Sequence, residues 1–402
     1  MLRLEDFRHI VPDEALAEIY ARAKGLYGKH VIHLNATYQG GGVAEILYSL
    51  VMLMNDIGVD SGWRILHGSQ EFFEITKGFH NALQGGKLMI SDRKKRVYLQ
   101  VNENFSKFTH IDHDCVIIHD PQPLALIRSY KKRQPWIWRC HIDLTDPHRE
   151  LWDFIKGFIL KYDQVVFSSE KYFKKDLPVD QRLMFPAINP ISQKNKDISD
   201  KIILEHITKA GIPTNKPIIT QVSRLDPWKD PEGVIEIFKL VKDKVDCRLV
   251  FCYNVASDDP EGFRMFNKVQ RKANKLLNSG DILFVVGNNE RLVNAIQRYS
   301  SVIIQKSTKE GFCLAVTEAL WKETPVVASN VGGIPMQIED GKNGFLLEPK
   351  DNAGFADRII HLLKNPKEGE DLGKQGKETV REKFLITRLL SDYLYMLNSI
   401  IG

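Results

Sequence analysis

The sequence predicts an α/β protein made of two Rossmann-like domains, each a parallel sheet with helices on both faces. Three observations carry that prediction. Short apolar runs alternate with amphipathic helical segments along the chain, with short connections between them, as strand–helix–strand units around a parallel sheet require. The chain has 402 residues, beyond the roughly 250–300 at which a single core stops growing. A proline-rich break, FPAINP at residues 185–190, leads into the polar tract SQKNKDISD, and the alternation restarts cleanly after it.

Residues 12–24 read as a leading helix with one apolar face. A strand at 31–36 follows, then the loop TYQGGG and a helix with Val43, Ile46, Leu47, Leu50 and Leu53 on one side. Strands are expected at 63–66, 115–119 (CVIIH), 136–140 (WIWRC) and 164–168, and helices at 69–82 and 146–161; residues 94–108 are ambiguous. The break at 185–190 reads as the hinge. Beyond it, strands at 217–222, 248–253, 282–286, 302–305, 325–329 and 344–347 alternate with helices at 231–244, 263–278, 290–298 and one beginning near Leu314. Helices at 352–363 and 367–384 close this half, and a final helix at 386–400 is expected to cross back to the first domain. The expected domains are residues 1–189 with 385–402, and residues 190–384. Ligands in open α/β sheets sit beyond the carboxyl ends of the strands, so two facing sheets would define a cleft.

Composition narrows the class. Apolar content of 43% and charged content of 27% are ordinary for a globular protein. No apolar run approaches the roughly 18 residues of a membrane span, and the N-terminal MLRLEDFRHIVPDE has no signal-peptide pattern. A net charge of +5 is too small to argue for nucleic acid, and the basic runs at 93–96 and 131–133 read as solvated faces. The five cysteines (Cys115, Cys140, Cys247, Cys252, Cys313) are scattered and form no C-x-x-C pair. That favours buried reduced thiols in a cytoplasmic protein over a disulfide frame or a structural zinc.

The most informative stretch is KEGFCLAVTEALW, residues 309–321. An apolar strand precedes it and a helical pattern follows, so the turn Glu310-Gly311-Phe312 leaves backbone N–H groups open at a helix start, an anion site suited to phosphate. Two carboxylates, Glu310 and Glu318, accompany that site. Carboxylates repel phosphate, so they are expected to meet hydroxyls while cations come from elsewhere. Hydroxyls plus phosphate indicate a sugar nucleotide. Arg224 and Lys229, five residues apart in QVSRLDPWKDPEG at the end of the first strand of the second half, supply the cations, a planar fork and a mobile point charge. Alone they would read as surface charges; at a strand end beside the glutamate motif they read as a diphosphate clamp.

In the first half, Gly40-Gly41-Gly42 sits where a dinucleotide fold carries its glycine loop. Glu45 replaces the third glycine of the nicotinamide fingerprint and His67 stands where its acid belongs, which disfavours that cofactor. The loop is then either a close backbone approach to a phosphate or sugar, or a tight turn. Asp112-His113-Asp114 spells D-x-D but precedes its strand, so metal is not expected there. His119-Asp120-Pro121-Gln122 and His141-Ile142-Asp143 are polar strand ends where a substrate hydroxyl can be met; nothing fixes a three-ligand zinc geometry.

Arg224 and Lys229, Glu310-Gly311-Phe312 with Glu318, Pro325-Val326-Val327-Ala328-Ser329 and Gly332-Gly333-Ile334-Pro335 together resemble a retaining GT-B glycosyltransferase of the glycogen-synthase-like superfamily, family 4. LNATYQGGGVAE, HDPQPLAL and WRCHIDLT are more closely similar to the trehalose glycosyltransferring synthases and the related trehalose phosphorylases. The resemblance implies transfer of glucose from a nucleoside diphosphate glucose (ADP-, UDP- or GDP-glucose) to free glucose, reversibly, giving α,α-trehalose with retention. It implies that Arg224 and Lys229 hold the diphosphate, with Gly311, Phe312, Cys313 and Leu314 forming the turn around it. Glu310 would bind the donor sugar, Glu318 the ribose, Gly41 and Gly42 the phosphate from the other domain, and His141 the sugar near the reacting carbon. Asn35, His119, Asp120, Gln122 and Asp143 are assigned to the acceptor. Cys313 departs from the family, which usually has glycine there. No cofactor is required; Mg is compatible with such a donor but not implied, and a homodimer is compatible with the sequence. The base is expected to lie near Gly287-Asn288. The alternatives are a trehalose phosphorylase, another GT-B glucosyltransferase with a different acceptor, a silent sugar-nucleotide sensor and a dehydrogenase.

Overall fold

Parallel strands buried on both faces need near-continuous apolar runs, and CVIIH and VIIQ are buried along their whole length. The computed structural model describes residues 2–39, 41–254 and 260–402. It divides into two units, Met1–Ala187 with Ile386–Gly402, and Ile188–Leu385. The first contains β1 (His30–Asn35), β2 (Asp60–Ile65), β3 (Cys115–His119), β4 (Trp136–Arg139), β5 (Gln164–Phe167) and β6 (Asp180–Leu183). They form a parallel sheet in the order β2-β1-β3-β4-β5-β6. The second contains β7 (Ile218–Arg224), β8 (Arg248–Asn254), β9 (Ile282–Val286), β10 (Val302–Gln305), β11 (Val326–Ser329) and β12 (Phe345–Leu347), again parallel, in the order β12-β11-β10-β7-β8-β9.

Strand order reverses between β1 and β3 in one sheet and between β7 and β10 in the other. At such switch points the flanking loops diverge and leave a crevice at the carboxyl ends of the strands. The expected motifs sit at these two places.

The two faces of the first sheet differ. Ile32, Leu34, Val116, Ile118, Trp136 and Trp138 enter one apolar core. Because side chains alternate along a strand, His33, His119 and Arg139 point to the opposite face, where all three are buried. The last helix, Ile386–Ile401, belongs to this unit and packs on helices Asp13–Ala23 and Gly42–Asp56. Its Tyr393 ring stands edge-on to His33 at 5.8 Å, and Arg388 donates to the Phe185 carbonyl at 2.8 Å. In the second unit Ile219, Phe238, Leu249, Phe251, Ile304 and Val327 share one core. No described helix is long and apolar enough to cross a membrane.

Several elements depart from expectation. The ambiguous residues 94–108 lie in a helix, Asp92–Phe108, whose N-cap Ser91 accepts from the Lys94 N–H and whose buried side is narrow, Tyr98 and Asn102. The polar edge strand β6 (DQRL) and the helix Asp200–Lys209 carried too weak a periodicity to be foreseen. β2 begins at Asp60, ahead of the apolar run that marks it in sequence. The polar tract after residue 190 is firmly held within the second unit. The Asn195 carbonyl accepts from the Trp321 indole at 3.2 Å, and its side-chain oxygen accepts from Lys322 at 2.8 Å. Asn294 donates to the Gln193 and Lys196 carbonyls.

Helix Pro366–Lys383 lies against helix Leu314–Trp321 through glycine: a Cβ on Gly373 would stand 2.0 Å from the Glu323 carbonyl oxygen. Gly373→Ala is therefore expected to lower stability by about 1–3 kcal/mol. Thermal unfolding checks this, and an unchanged midpoint would mean the helices separate without penalty.

Candidate active site

β7 ends at Arg224, and the chain turns through Asp226, whose buried carboxylate accepts from the Trp228 N–H at 3.0 Å. Asp230 follows in a left-handed conformation (φ 41°) and caps helix Pro231–Lys242 by accepting from Gly233 N–H at 3.0 Å. The loop after β10 is tied to this turn by several contacts. Thr308 N–H donates to the Trp228 carbonyl at 2.7 Å, Lys306 pairs with Asp230, and Lys229 pairs with Glu310. Ser307 Oγ also donates to Glu310, at 3.2 Å. Burial alone would draw the Lys229 pKa down, but the negative charges of Glu310 and Asp226 reverse this and the net shift is upward.

Thus the structure brings Lys229 and Glu310 together directly. Arg224 stands apart, 45% exposed, its guanidinium 3.5 Å from Asp226. Gly311 and Phe312 are pressed from behind by the GGIP turn: a Cβ on Gly333 would lie 2.7 Å from the Gly311 carbonyl oxygen and 2.8 Å from Phe312 Cα. Gln337 clamps the same turn by donating to the Phe312 carbonyl. Helix Leu314–Trp321 then starts, and its first N–H groups have no partner within the helix. Its N-cap, Cys313, has φ 77° and ψ 76°, a left-handed geometry that explains why glycine suits this place. The thiol is buried, and burial followed by the nearby Glu310 charge pushes its pKa up, so it adds no charge to the turn.

Glu318 is buried, with Lys194 at 2.8 Å on one oxygen and the Gln297 amide at 3.2 Å on the other. Sequence reasoning missed Lys194, Lys306 and Gln297. Lys194 lies in an aperiodic polar tract. Lys306 was legible in principle, as a cation directly following a strand at the switch point.

In the first unit the strand ends gather His119, Asp120 and His141. Asp120 sits in a left-handed conformation (φ 61°) and accepts from the His141 backbone N–H at 2.8 Å. Burial raises its pKa to about 6. The His119 and His141 rings stack at 5.4 Å, with Nδ1 of the first 3.1 Å from Nε2 of the second. His33, missed in sequence, continues the row, its Nδ1 3.0 Å from His119 Nε2. Burial lowers all three imidazoles, His33 to about 3 and the others well below the ordinary value.

The remaining acceptor candidates are engaged locally. Asn35 accepts from the Trp63 indole at 2.8 Å and donates to the Thr37 carbonyl. Asp143 accepts from the Thr145 N–H at 2.8 Å. Gln122 contributes its carbonyl to Asn102 at 3.1 Å. Gly41 is the N-cap of helix Gly42–Asp56, and a Cβ on it would meet nothing within 4 Å; Gly40 lies outside the described residues. Asp114 of the D-x-D accepts from the His30 N–H at 2.8 Å.

Comparison with known proteins agrees with this architecture. The α,α-trehalose-phosphate synthase (UDP-forming) from Burkholderia vietnamiensis superposes with a TM-score of 0.75 at 14% identity, over 93% of this chain and 97% of that one; the fold is that of the GT-B glycosyltransferases. A family model described as "Trehalose synthase, N-terminal domain" matches residues 33–174, and "Glycosyl transferases group 1" matches residues 203–379. The trehalose synthase of Thermococcus litoralis is 46% identical over 401 residues, 99% of this chain and 97% of its own. The trehalose phosphorylase of Grifola frondosa is 28% identical, over 82% of this chain and 51% of its own. The chain belongs to the trehalose synthase family of glycosyltransferases.

Two outcomes follow from this geometry. A left-handed residue with a Cβ costs roughly 1–2 kcal/mol, against roughly 0.5–1 kcal/mol for the extra freedom of an unfolded glycine. Cys313→Gly is therefore expected to be more stable than Cys313→Ala by about 0.5–1 kcal/mol in chemical denaturation. Three histidines held neutral when folded, but protonating near pH 6.5 when unfolded, contribute stability that is full above that pH and is lost as pH falls toward 3. Asp120, raised from 3.8 to about 6, acts oppositely: its contribution is lost as pH rises through about 6. The histidines outnumber it, so unfolding free energy should fall between pH 7 and 5, by about 1.4 kcal/mol per pH unit for each uncompensated proton. Urea titrations at the two pH values test this, and a flat profile contradicts it.

Proposed function

We propose that this protein is a retaining hexosyltransferase that joins the glucosyl group of a nucleoside diphosphate glucose to free glucose, reversibly, forming α,α-trehalose. The observation that carries this reading is the assembly at the β7/β10 switch point. There an ammonium–carboxylate pair meets a helix start, with an exposed guanidinium at the end of the neighbouring strand, in a chain of the trehalose synthase family. Breaking the anomeric bond leaves an oxocarbenium-like sugar and an anionic diphosphate. Arg224, Lys229 and the N–H groups at Leu314 would stabilise that anion by fixed charges and dipoles, which need no reorganisation as charge develops.

Glu310 then has two tasks in this reading. It orients Lys229, and it meets the donor sugar hydroxyls. Glu318 takes the ribose hydroxyls while anchored by Lys194. His141, with Gly41 and Gly42, serves the first unit's side of the reaction, and Asn35, His119, Asp120, Gln122 and Asp143 shape the acceptor side. Among the described residues of the second-unit turn, Glu310 is the carboxylate nearest the helix start, and it is paired with Lys229. That supports a front-face route in which the departing phosphate takes the acceptor's proton.

Incubation with ADP-, UDP- or GDP-glucose plus glucose should release nucleoside diphosphate and a non-reducing disaccharide. Formation of glucose 1-phosphate from trehalose and phosphate, without nucleotide dependence, would assign a phosphorylase instead. Arg224→Ala should lower turnover by roughly 10²-fold or more, and an unchanged rate would remove Arg224 from the diphosphate site. Glu318→Gln is the informative ribose probe: truncation to alanine would also strand Lys194, and breaking a buried pair from one side costs roughly 3–5 kcal/mol of stability.

A further inference from the structure

A sheet face filled with imidazoles is costly unless the ring nitrogens find partners. On the covered face of the first sheet they are threaded in one sense: His33 Nδ1 to His119 Nε2 at 3.0 Å, and His119 Nδ1 to His141 Nε2 at 3.1 Å. A neutral imidazole has one N–H and one lone pair. Each N···N contact needs one donor, so three neutral rings in this row admit only two arrangements. Either every ring carries its proton on Nδ1, or every ring carries it on Nε2.

The surroundings favour neutrality. The buried guanidinium of Arg139 lies on the same face and disfavours an imidazolium at His119 and His141. The Tyr393 ring covers His33, and Asp120 is committed to the His141 backbone. The inner end of the row selects between the two arrangements. His33 Nε2 is buried and has no hydrogen-bond partner. A proton there would be an orphaned buried N–H, the rarer defect; a lone pair there is only an unfilled acceptor.

We propose that His33 and His119 are positioning residues that lock His141 in its Nδ1–H form, so that His141 presents a donor, and not a lone pair, to a sugar oxygen. The tautomer rests on the row alone; its meaning for catalysis rests on the reading of His141 as a sugar contact. Neither His33 nor His119 needs to touch a ligand to act. Each sets the proton position on the next ring outward.

Nitrogen-15 NMR of histidine-labelled full-length protein tests this between pH 6 and 8. The expected result is three neutral rings, each protonated on Nδ1. In His33→Phe the lock is released, His141 shifts toward Nε2–H, and kcat falls roughly 10- to 100-fold, the scale of a misplaced catalytic group, with KM for the nucleotide sugar unchanged. His33→Gln, whose amide retains a donor, should restore both readouts. A wild-type His141 protonated on Nε2, or one indifferent to His33→Phe, overturns the proposal. The wild-type spectrum decides alone if the variants fail to fold. A locked row in a protein that turns over no nucleotide sugar supports the row and counts against the function proposed above.

Discussion

The Lys229–Glu310 pair is the contact on which the second unit's site depends. It joins the loop after β7 to the loop after β10 at the point where the strand order reverses, and it does so with little exposure to water, 14% and 13% for the two side chains. A glutamate placed alone in a turn of open N–H groups would occupy the turn as its own anion. Pairing it with Lys229 neutralises that tendency, while Arg224, at the end of β7, stands 3.5 Å from Asp226 and 45% exposed. The second tie, Lys306 to Asp230, braces the same junction one step further out, and Gly233 is glycine because a Cβ there would lie 2.2 Å from the Asp230 carboxylate and 2.5 Å from Lys306 Nζ.

The first unit solves the same topological problem chiefly with uncharged imidazoles, set beside the buried guanidinium of Arg139 and the Asp120 carboxyl. Its switch point, between β1 and β3, is lined by stacked imidazoles whose charge is suppressed by burial, and by one carboxyl, Asp120, whose backbone strain is held by the His141 N–H. Cations and a helix start suit a site that meets an anion, whereas hydroxyls are served equally by carboxylates and by uncharged ring nitrogens. The contrast between the two sheets therefore parallels the division of labour proposed for donor and acceptor.

Much of this was readable in the sequence because parallel strands and amphipathic helices have strong periods. The second half was legible almost throughout, since its strands are apolar and its site residues follow strand ends directly. What escaped was polar or discontinuous. β6 is an edge strand without an apolar run, and Lys194 approaches Glu318 from a tract with no period. His33 lies inside a strand whose alternation reads as ordinary. A histidine in an apolar strand carries no local sign that it meets a second histidine and, through it, a third; that requires the register of β1, β3 and β4, which only the sheet supplies. Cys313 was legible as a departure from glycine, but its left-handed backbone was not.

The chain order of the last helix has a bearing on synthesis. Helix Ile386–Ile401 completes the unit that begins at the N-terminus, so the whole of Ile188–Leu385 is spliced into the middle of the first unit's sequence. On the ribosome, where elongation runs at roughly 5–20 residues per second, the sheet carrying His33 is translated before the inserted unit, and Tyr393, which roofs it, after that unit. The inserted unit is translated whole before its host receives its final helix. Closure of the first unit over His33 therefore waits until the inserted unit has been translated.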